Sequence, residues 1–366
     1  MTYKMIQVGT GGWGLQWCER FLPPNVKDGL IDVVAAVDKN PEALKNAQQF
    51  LGLSADRCYT NIQKAFDNNP ADFCTVVVPP AHHEMVVDIA LSHDCHVLSE
   101  KPIADTLQGS VRIAEKIRRA GKKMGVTMSH RFRQDITTLR EEIRSGRHGA
   151  LDYIVSRFTA EARTYGTWGL LRYEMPDPLM IEGSVHHLDL LANMAATTPG
   201  ALCETIYAQT WKPPWGEFTG DSQALVTMYI GGETRVFYEG ATANAVGLND
   251  WEAEYIRAEC ERSTLILTHG RIERLAYDPS RQNPNRREGE GKEIHLLEQP
   301  KWANTWLVEK FVHWLGGGEP METNVEDNLQ SMALVFGAIE SSRTGQPVDV
   351  QELLARAHEE VVTSEG

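Results

Sequence analysis

The sequence predicts an α/β N-terminal domain with a doubly wound parallel sheet, followed by an α+β domain with a large, mostly antiparallel open sheet. Three observations support this fold class. A glycine-rich turn, GTGGWG, follows a short apolar run near the start of the chain. Strand-like and helix-like segments then alternate as far as Met128, which is typical of a parallel sheet. From Tyr153 onward, longer runs fit an antiparallel sheet with one packed face.

Chain length and charge predict a globular protein of two domains. At 366 residues the chain is longer than one ordinary core allows, and the change of pattern places a boundary near residues 129–133. We therefore assign residues 1–129 to the first domain and residues 130–366 to the second. The net charge of −14 disfavours nucleic acid or an anionic membrane as a partner.

The sequence also bears on location and metal binding. No basic start precedes an apolar segment, and no apolar run approaches about 18 residues, so we expect a cytoplasmic protein. The six cysteines show no C-x-x-C or other metal-ligand spacing. We expect reduced, mostly buried thiols and no metal site.

The glycine-rich turn predicts a dinucleotide-binding site. Gly9 permits a tight turn, Gly11 allows close approach to phosphates, and Gly14 allows the next helix to pack closely. The N-terminus of that helix favours the negative charge of a pyrophosphate. A second strand ends in Asp38, whose carboxylate can accept hydrogen bonds from an adenosine ribose and disfavours a 2′-phosphate. NAD is therefore expected, while Lys39 leaves NADP open; the alternative is a glycine-rich turn followed by a surface aspartate.

Local signals place the elements of the first domain in order. Asn40-Pro41 predicts a helix start, Gly52 predicts its end, and Pro79-Pro80 bounds a buried β-branched strand. The predicted strands are residues 3–8, 31–37, 73–78, 96–99 and 124–128, and the predicted helices are residues 15–21, 43–50, 84–91 and 106–120.

The second domain is predicted from longer runs of alternating polarity. A charged stretch with proline and glycine, residues 281–292, is predicted as a surface loop. The predicted strands are residues 153–159, 202–209, 224–230, 234–239, 251–258 and 264–268, and the predicted helices are residues 182–194, 305–315 and 326–343.

Two segments carry residues suited to alcohol chemistry. Lys101 follows a strand at the carboxyl edge of the parallel sheet, where it can hold a substrate hydroxyl, and a cis bond at Pro102 would aim it inward. A solvated Lys-Pro turn is an equal alternative. In a helix from Glu182 onward, Glu182, His186 and Asp189 share one stripe. His186 is the candidate base for the hydroxyl proton, and a buried core histidine is its alternative. His187, on another face, is expected to be structural.

Other polar and aromatic residues are weaker candidates. His82 and His83 could be imagined as metal ligands with Glu182 and His186, but adjacent histidines project differently, and His83 suits helix capping or cofactor contact better. Aromatic rings before the His186 segment can stack on sugars, and arginines can bind hydroxyls or a carboxylate; ordinary core or interface aromatics are the alternative. These residues are Tyr165, Trp168, Tyr173, Arg131, Arg163 and Arg172.

The sequence resembles those of the Gfo/Idh/MocA oxidoreductases, a family that includes glucose–fructose oxidoreductase and inositol dehydrogenase. The resemblance lies in motifs found in order over nearly the whole chain. They are GTGGWG, AVD ending at Asp38, VPPAHH at residues 78–83, EKP at residues 100–102, H-x-x-D at residues 186–189, and a closing segment at residues 326–350.

The resemblance implies an N-terminal Rossmann domain, a nicotinamide cofactor, a sugar or polyol substrate, and a homodimer or homotetramer formed through the open sheet of the C-terminal domain. Lys101 matches the family's active-site lysine and His186 its catalytic histidine, while Glu182 stands where many members carry aspartate. The expected cofactor contacts are Gly9, Thr10, Gly11, Gly12, Trp13, Gly14, Asp38, Lys39, Pro79, His83, Glu100 and Lys101, and the expected substrate contacts are Arg131, Arg163, Tyr165, Trp168 and Asp189.

The expected activity is reversible hydride transfer between NAD and a secondary alcohol of a sugar, cyclitol or sugar derivative. Two alternatives stay open. The first is a redox-neutral glycosidase or lyase that oxidises, eliminates and reduces with bound NAD. The second is a cofactor-dependent sugar sensor without turnover, which would not need Lys101 and His186.

Overall fold

A computed structural model describes residues 1–280 and 291–365, which form two compact units. The first unit contains Met1–Phe132, Pro300–Met332 and Ala357–Gly366, and the second contains Arg133–Gln299 and Ala333–Arg356. Two late segments thus belong to the first unit, although a single boundary near residue 130 assigns them to the second domain. Of the predicted loop, residues 281–290 lie outside the described residues, and Lys292 begins a strand.

A six-stranded parallel sheet forms the centre of the first unit, as predicted. Its order is β3-β2-β1-β4-β5-β6, so the direction of winding reverses between β1 and β4, where α/β proteins bind their ligands. The strands are β1 Tyr3–Val8, β2 Ile31–Val37, β3 Cys58–Tyr59, β4 Phe73–Val76, β5 His96–Ser99 and β6 Met124–Val126.

The helices of the first unit largely follow the sequence signals. The helix predicted from residue 43 begins at Leu44, because Asn40 and Ala43 first close a turn through a backbone hydrogen bond. Gly52 ends this helix in the left-handed conformation. The helices are Trp13–Gln16, continued by a π-helical turn Trp17–Phe21 and by Leu22–Lys27, then Leu44–Leu51, Ile62–Asn68, His83–Ser92, Leu107–Arg119 and Ala303–Leu315, with 3₁₀ turns at Ala55–Arg57, Pro80–His82 and Ser129–Phe132.

The late helix Ala303–Leu315 belongs to the core of the first unit. Leu307 and Phe311, one helical turn apart, are fully buried, and the Phe311 ring meets Phe73 of β4 edge to face at 5.4 Å. Burial of this apolar face explains why the segment returns to the first unit.

A nine-stranded mixed sheet forms the second unit. Its order is β14-β13-β12-β11-β7-β10-β9-β8-β15, and only the pair β7 and β10 is parallel among the described strands. The mostly antiparallel sheet is therefore confirmed. The strands are β7 Leu151–Thr159, β8 Cys203–Trp211, β9 Gln223–Ile230, β10 Thr234–Ala241, β11 Tyr255–Cys260, β12 Ser263–Thr268, β13 Arg271–Ala276, β14 Lys292–Ile294 and β15 Val348–Asp349.

Two predictions in the second half of the chain need correction. The strand predicted from residue 251 begins only at Tyr255, because a turn with Glu252 at a φ of 66° precedes it. The helix predicted from Glu182 begins as a π-helical turn, and its α-helical part starts at Val185. The helices here are Gln134–Arg144, Leu170–Glu174, the π-helical turn Leu179–Ser184, Val185–Ala195, Val325–Thr344 and Val350–Glu365. Over the described ranges, no helix has the length and apolar character needed to cross a bilayer.

Candidate cofactor and catalytic site

The glycine-rich turn forms a tight cradle at the end of β1. Gly9 has a φ of 91°, and a Cβ atom on it would lie 1.9 Å from the Val77 carbonyl oxygen. A Cβ atom on Gly14 would lie 2.4 Å from the Gly9 carbonyl oxygen. The helix that follows begins at Trp13, and the N–H groups of Gly14 and Leu15 donate to the carbonyls of Gly11 and Gly12 at 2.8 and 3.2 Å. The positive N-terminal end of the helix dipole, rather than these bonded N–H groups, favours an anion here. Only glycine allows this close approach, and the cradle fits the pyrophosphate of a dinucleotide.

Asp38 fastens the cradle to the end of β2. Its Oδ2 atom accepts the backbone N–H groups of Thr10 at 2.8 Å and Gly11 at 3.0 Å, and its Oδ1 atom accepts the Asn40 N–H at 2.9 Å. A carboxylate oxygen accepts about two hydrogen bonds, so Oδ1 retains capacity for a ribose hydroxyl. The neighbouring Lys39 is exposed. The arrangement fits the predicted ribose contact.

Glu100 of the EKP motif lies beneath the same cradle. Its Oε1 atom accepts the indole N–H groups of Trp13 and Trp17, each at 2.8 Å. The side chain is buried, and this burial raises the pKa of the Glu100 carboxyl, against the opposing effects of Lys101 and both indoles. The partly buried Lys101 donates its backbone N–H to Glu100 Oε2 at 3.3 Å, and its bond to Pro102 is cis, as expected.

His83 and Pro79 lie in the turn after β4. The His83 ring is fully buried, with Nε2 2.8 Å from the Val78 carbonyl oxygen and Nδ1 3.1 Å from the Ile103 carbonyl oxygen. It therefore joins this turn to the one that follows the EKP motif. Pro79 is exposed and precedes the 3₁₀ turn Pro80–His82. Direct contact of either residue with the cofactor stays a prediction.

His186 lies in the first turn of the helix Val185–Ala195 in the second unit and is buried. The ring of Trp251 meets it edge-on, with ring centroids 6.2 Å apart. The adjacent His187 stacks on Phe158 at 4.5 Å and lies 3.5 Å from Glu254 through its Nε2 atom. These surroundings support a structural role for His187.

Glu182 is buried and bound by an arginine. Its Oε2 atom accepts hydrogen bonds from Arg172 Nε at 3.2 Å and Nη2 at 2.9 Å. Arg172 also donates to the Trp168 carbonyl at 2.8 Å, and its guanidinium carbon lies 5.1 Å from the Trp168 ring centroid. Glu182 lies in a π-helical turn and His186 in the α-helix that follows, so their shared stripe stays a prediction.

The remaining predicted substrate contacts have varied surroundings. Tyr165 is exposed and donates its hydroxyl to Glu174 at 2.8 Å. Arg163 lies 3.7 Å from Glu161, and Asp189 is buried in the helix that carries His186. In the first unit, Arg131 is buried and forms an ion pair with Asp327 at 3.0 Å. The structure thus groups Trp168 with Glu182 but does not bring Arg163 or Tyr165 to them through any hydrogen bond between described residues.

Two supporting groups were missed in the sequence. Trp17 could have been found, because it follows Trp13 by one helical turn. Arg133 could not have been found from local pattern, since its Nη1 atom binds Glu254, far along the chain, at 2.7 and 2.8 Å. Arg133 also binds Asp135 at 2.6 Å. Burial lowers the pKa of the Arg133 guanidinium, but the two carboxylates outweigh this and raise it above its ordinary value.

The parallel sheet, the glycine cradle at its switch point and the acidic residue ending β2 define a dinucleotide-binding α/β protein. Residues 4–128 match the model of an oxidoreductase family with an NAD-binding Rossmann fold, named GFO_IDH_MocA. The chain is 51% identical over 97% of its length to the uncharacterized protein y4oX of Sinorhizobium fredii, of which it covers 97%. The chain belongs to the Gfo/Idh/MocA oxidoreductase family and is an NAD-binding oxidoreductase.

Two further similarities concern a curated enzyme and a solved structure. An inositol 2-dehydrogenase/D-chiro-inositol 3-dehydrogenase of Lacticaseibacillus casei is 32% identical over 41% of this chain and 42% of its own length. An oxidoreductase from Agrobacterium radiobacter, solved with NAD+, L-tartaric acid and magnesium, has a TM-score of 0.79 and 20% identity and covers 96% of this chain and 99% of its own. The second similarity shows the shared fold.

Proposed function

We propose that this protein is an NAD-dependent dehydrogenase that transfers a hydride reversibly between the nicotinamide and a secondary alcohol of a sugar, cyclitol or sugar derivative. The observation that carries the proposal is the glycine cradle bound to Asp38 in a chain that also holds Lys101 and a buried His186. The cyclitol dehydrogenase among its relatives supports the substrate class.

The chain's own residues supply binding and proton transfer, while bound NAD supplies the hydride acceptor. His186 takes the hydroxyl proton, since an imidazole titrates near neutral pH. Lys101 holds the substrate oxygen and stabilises its developing negative charge. Glu182 orients these groups, and its carboxylate is held by Arg172. Trp168 offers an aromatic face to the sugar, with Arg131, Arg163, Tyr165 and Asp189 as further candidate contacts.

Asp38 makes NAD the preferred cofactor in this proposal. Its carboxylate would repel a 2′-phosphate at the ribose, whereas the exposed Lys39 next to it could attract one. Titration with NADH and NADPH tests the preference. Tighter binding of NADH is expected, and an equal or tighter affinity for NADPH would reject it.

The activity is tested by following absorbance at 340 nm with NAD and a panel of cyclitols, aldoses and polyols that begins with myo-inositol. Lys101→Met and His186→Asn should each lower kcat about 10²–10⁴-fold while NADH still binds. Lys310→Met and His313→Asn, at exposed positions, are the matched controls and should retain activity.

Three outcomes would count against this function. No reduced cofactor with any substrate, together with no NADH binding, would reject it. Bond cleavage without net NADH would favour the redox-neutral alternative. Full activity of Lys101→Met would show that the catalytic residues are misassigned.

The outer face of the nine-stranded sheet is our candidate interface for a second copy of the chain. Phe237 of β10 and Leu225 of β9 are exposed there at 42% and 50%, with Tyr229 and Arg235 beside them. Large exposed apolar side chains on one sheet face favour association. Light scattering should show a dimer or tetramer, and Phe237→Asp should shift it toward monomer.

The six free thiols favour a reducing, cytoplasmic location.

A further inference from the structure

We propose that Glu100 is a positioning residue that holds the phosphate-binding loop and the first helix in the conformation that receives the dinucleotide. It would do so through the indole N–H groups of Trp13 and Trp17 rather than by contact with the cofactor. The inference rests on the cofactor part of the proposed function and is independent of the substrate.

The geometry joins two distant motifs through one oxygen atom. Glu100 Oε1 accepts both indole N–H groups at 2.8 Å, from residues 83 and 87 positions away in the chain. Trp13 and Trp17 lie one helical turn apart, so their rings leave the same face of the helix. Both rings pack against Phe21, with centroid distances of 5.8 Å for Trp13 and 5.7 Å for Trp17. The loop and the EKP turn are thereby joined.

The carboxylate suits this task because it is buried. Only 7% of Glu100 is exposed, and a buried carboxylate is stable only when hydrogen bonds and positive charge compensate the lost water. Hydrogen bonds to an ionised acceptor are roughly twice as strong as neutral ones. Loss of either indole N–H would therefore weaken the attachment of the loop and leave the carboxylate less well compensated.

Trp13 shows why the arrangement bears on the cofactor and not on the core alone. Trp17 is fully buried, but Trp13 is 53% exposed and is the first residue of the helix, between Gly12 and Gly14 of the glycine motif. A half-exposed indole contributes little core packing and would sample several rotamers if it were not bound. Its hydrogen bond to Glu100 fixes the ring before the dinucleotide binds. The conformational entropy lost in ordering the ring therefore does not reduce the free energy of dinucleotide binding.

The test measures NADH binding in the absence of substrate, and energy transfer from tryptophan to NADH is the signal that monitors it. Trp13→Phe retains an aromatic ring but lacks the N–H donor, and we expect NADH binding to weaken about tenfold. Glu100→Leu should have a similar effect, whereas Glu100→Gln retains an acceptor oxygen and should recover at least half of the lost binding energy, or about threefold in affinity. Trp314→Phe is the matched control, because that ring packs on Phe311 and Lys123.

Thermal unfolding separates positioning from general destabilisation. The proposal expects Trp13→Phe to melt close to the wild type while its NADH dissociation constant rises. Wild-type affinity of Trp13→Phe would overturn the positioning role and leave the proposed dehydrogenase untouched. Equal loss of affinity in Trp13→Phe and Trp314→Phe, or a Glu100→Gln variant no better than Glu100→Leu, would also overturn it. Absence of NADH binding by the wild type would reject the cofactor assignment itself.

Discussion

Alanine substitutions in the glycine loop should separate two causes of destabilisation. Gly12 has a φ of 51° and a ψ of −119° with nothing within 4 Å of an added Cβ, so Gly12→Ala should cost only the backbone penalty of this sparsely populated region, about 1–3 kcal/mol. Gly14→Ala meets the Gly9 carbonyl at 2.4 Å and should cost an overpacking penalty of about 1–3 kcal/mol. Gly9→Ala combines a φ of 91° with a contact of 1.9 Å, so about 2–5 kcal/mol is expected.

Urea unfolding and NADH titration of the three variants measure this order. A loss of 1 kcal/mol lowers the melting temperature of a unit of this size by about 2–4 °C. Gly12→Ala should stay folded, because its added Cβ meets no protein atom within 4 Å. Gly9→Ala should displace the end of β4 and lose NADH binding. Equal stability of Gly9→Ala and Gly12→Ala would refute the role assigned to the Val77 contact.

Three further predictions concern buried charges. Arg133→Met leaves the Asp135 and Glu254 carboxylates without their shared cation, so urea unfolding should show a loss of about 3–5 kcal/mol, against less than about 1 kcal/mol for Arg147→Met at an exposed ion pair. Burial raises the pKa of the Glu100 carboxyl, so the folded state binds this proton more tightly than the unfolded state does. The wild type should therefore lose stability relative to Glu100→Gln as pH rises above about 4. A difference in melting temperature between the two proteins that does not widen with pH would contradict this. Arg172→Leu removes the two hydrogen bonds that Arg172 donates to Glu182 Oε2, so kcat should fall while NADH affinity is retained.

Much of the first unit was predictable because its signals are local. The strands β1, β2 and β5 have the predicted bounds, and Gly52 ends its helix as expected. Elements absent from the sequence prediction include the two-residue strand β3 and the 11-residue helix Gln134–Arg144. The helix does carry a local signal, because its buried Ile136, Leu139 and Ile143 recur at helical spacing. The strand β3 pairs only two residues. Tertiary contacts decide whether such segments form.

The candidate site was predictable as a set of residues but not as a set of contacts. The sequence predicts Glu182 in an α-helix, whereas the structure places it in a π-helical turn that precedes the α-helix. It named Glu100 without its indole partners. The sequence predicts that Arg172 binds a hydroxyl or a carboxylate, but only the fold shows that this carboxylate is Glu182.

The sequence by itself determined the parallel sheet, the glycine cradle and the acidic residue that ends β2, because these depend on residues close together in the chain and on the backbone freedom of glycine. Only the tertiary structure decided that the segment 300–332 belongs to the first unit, that Glu100 binds Trp13 and Trp17, and that Arg133 binds Glu254. The physical reason is that long-range pairing follows from how apolar faces pack, and periodicity within one segment does not specify its partner.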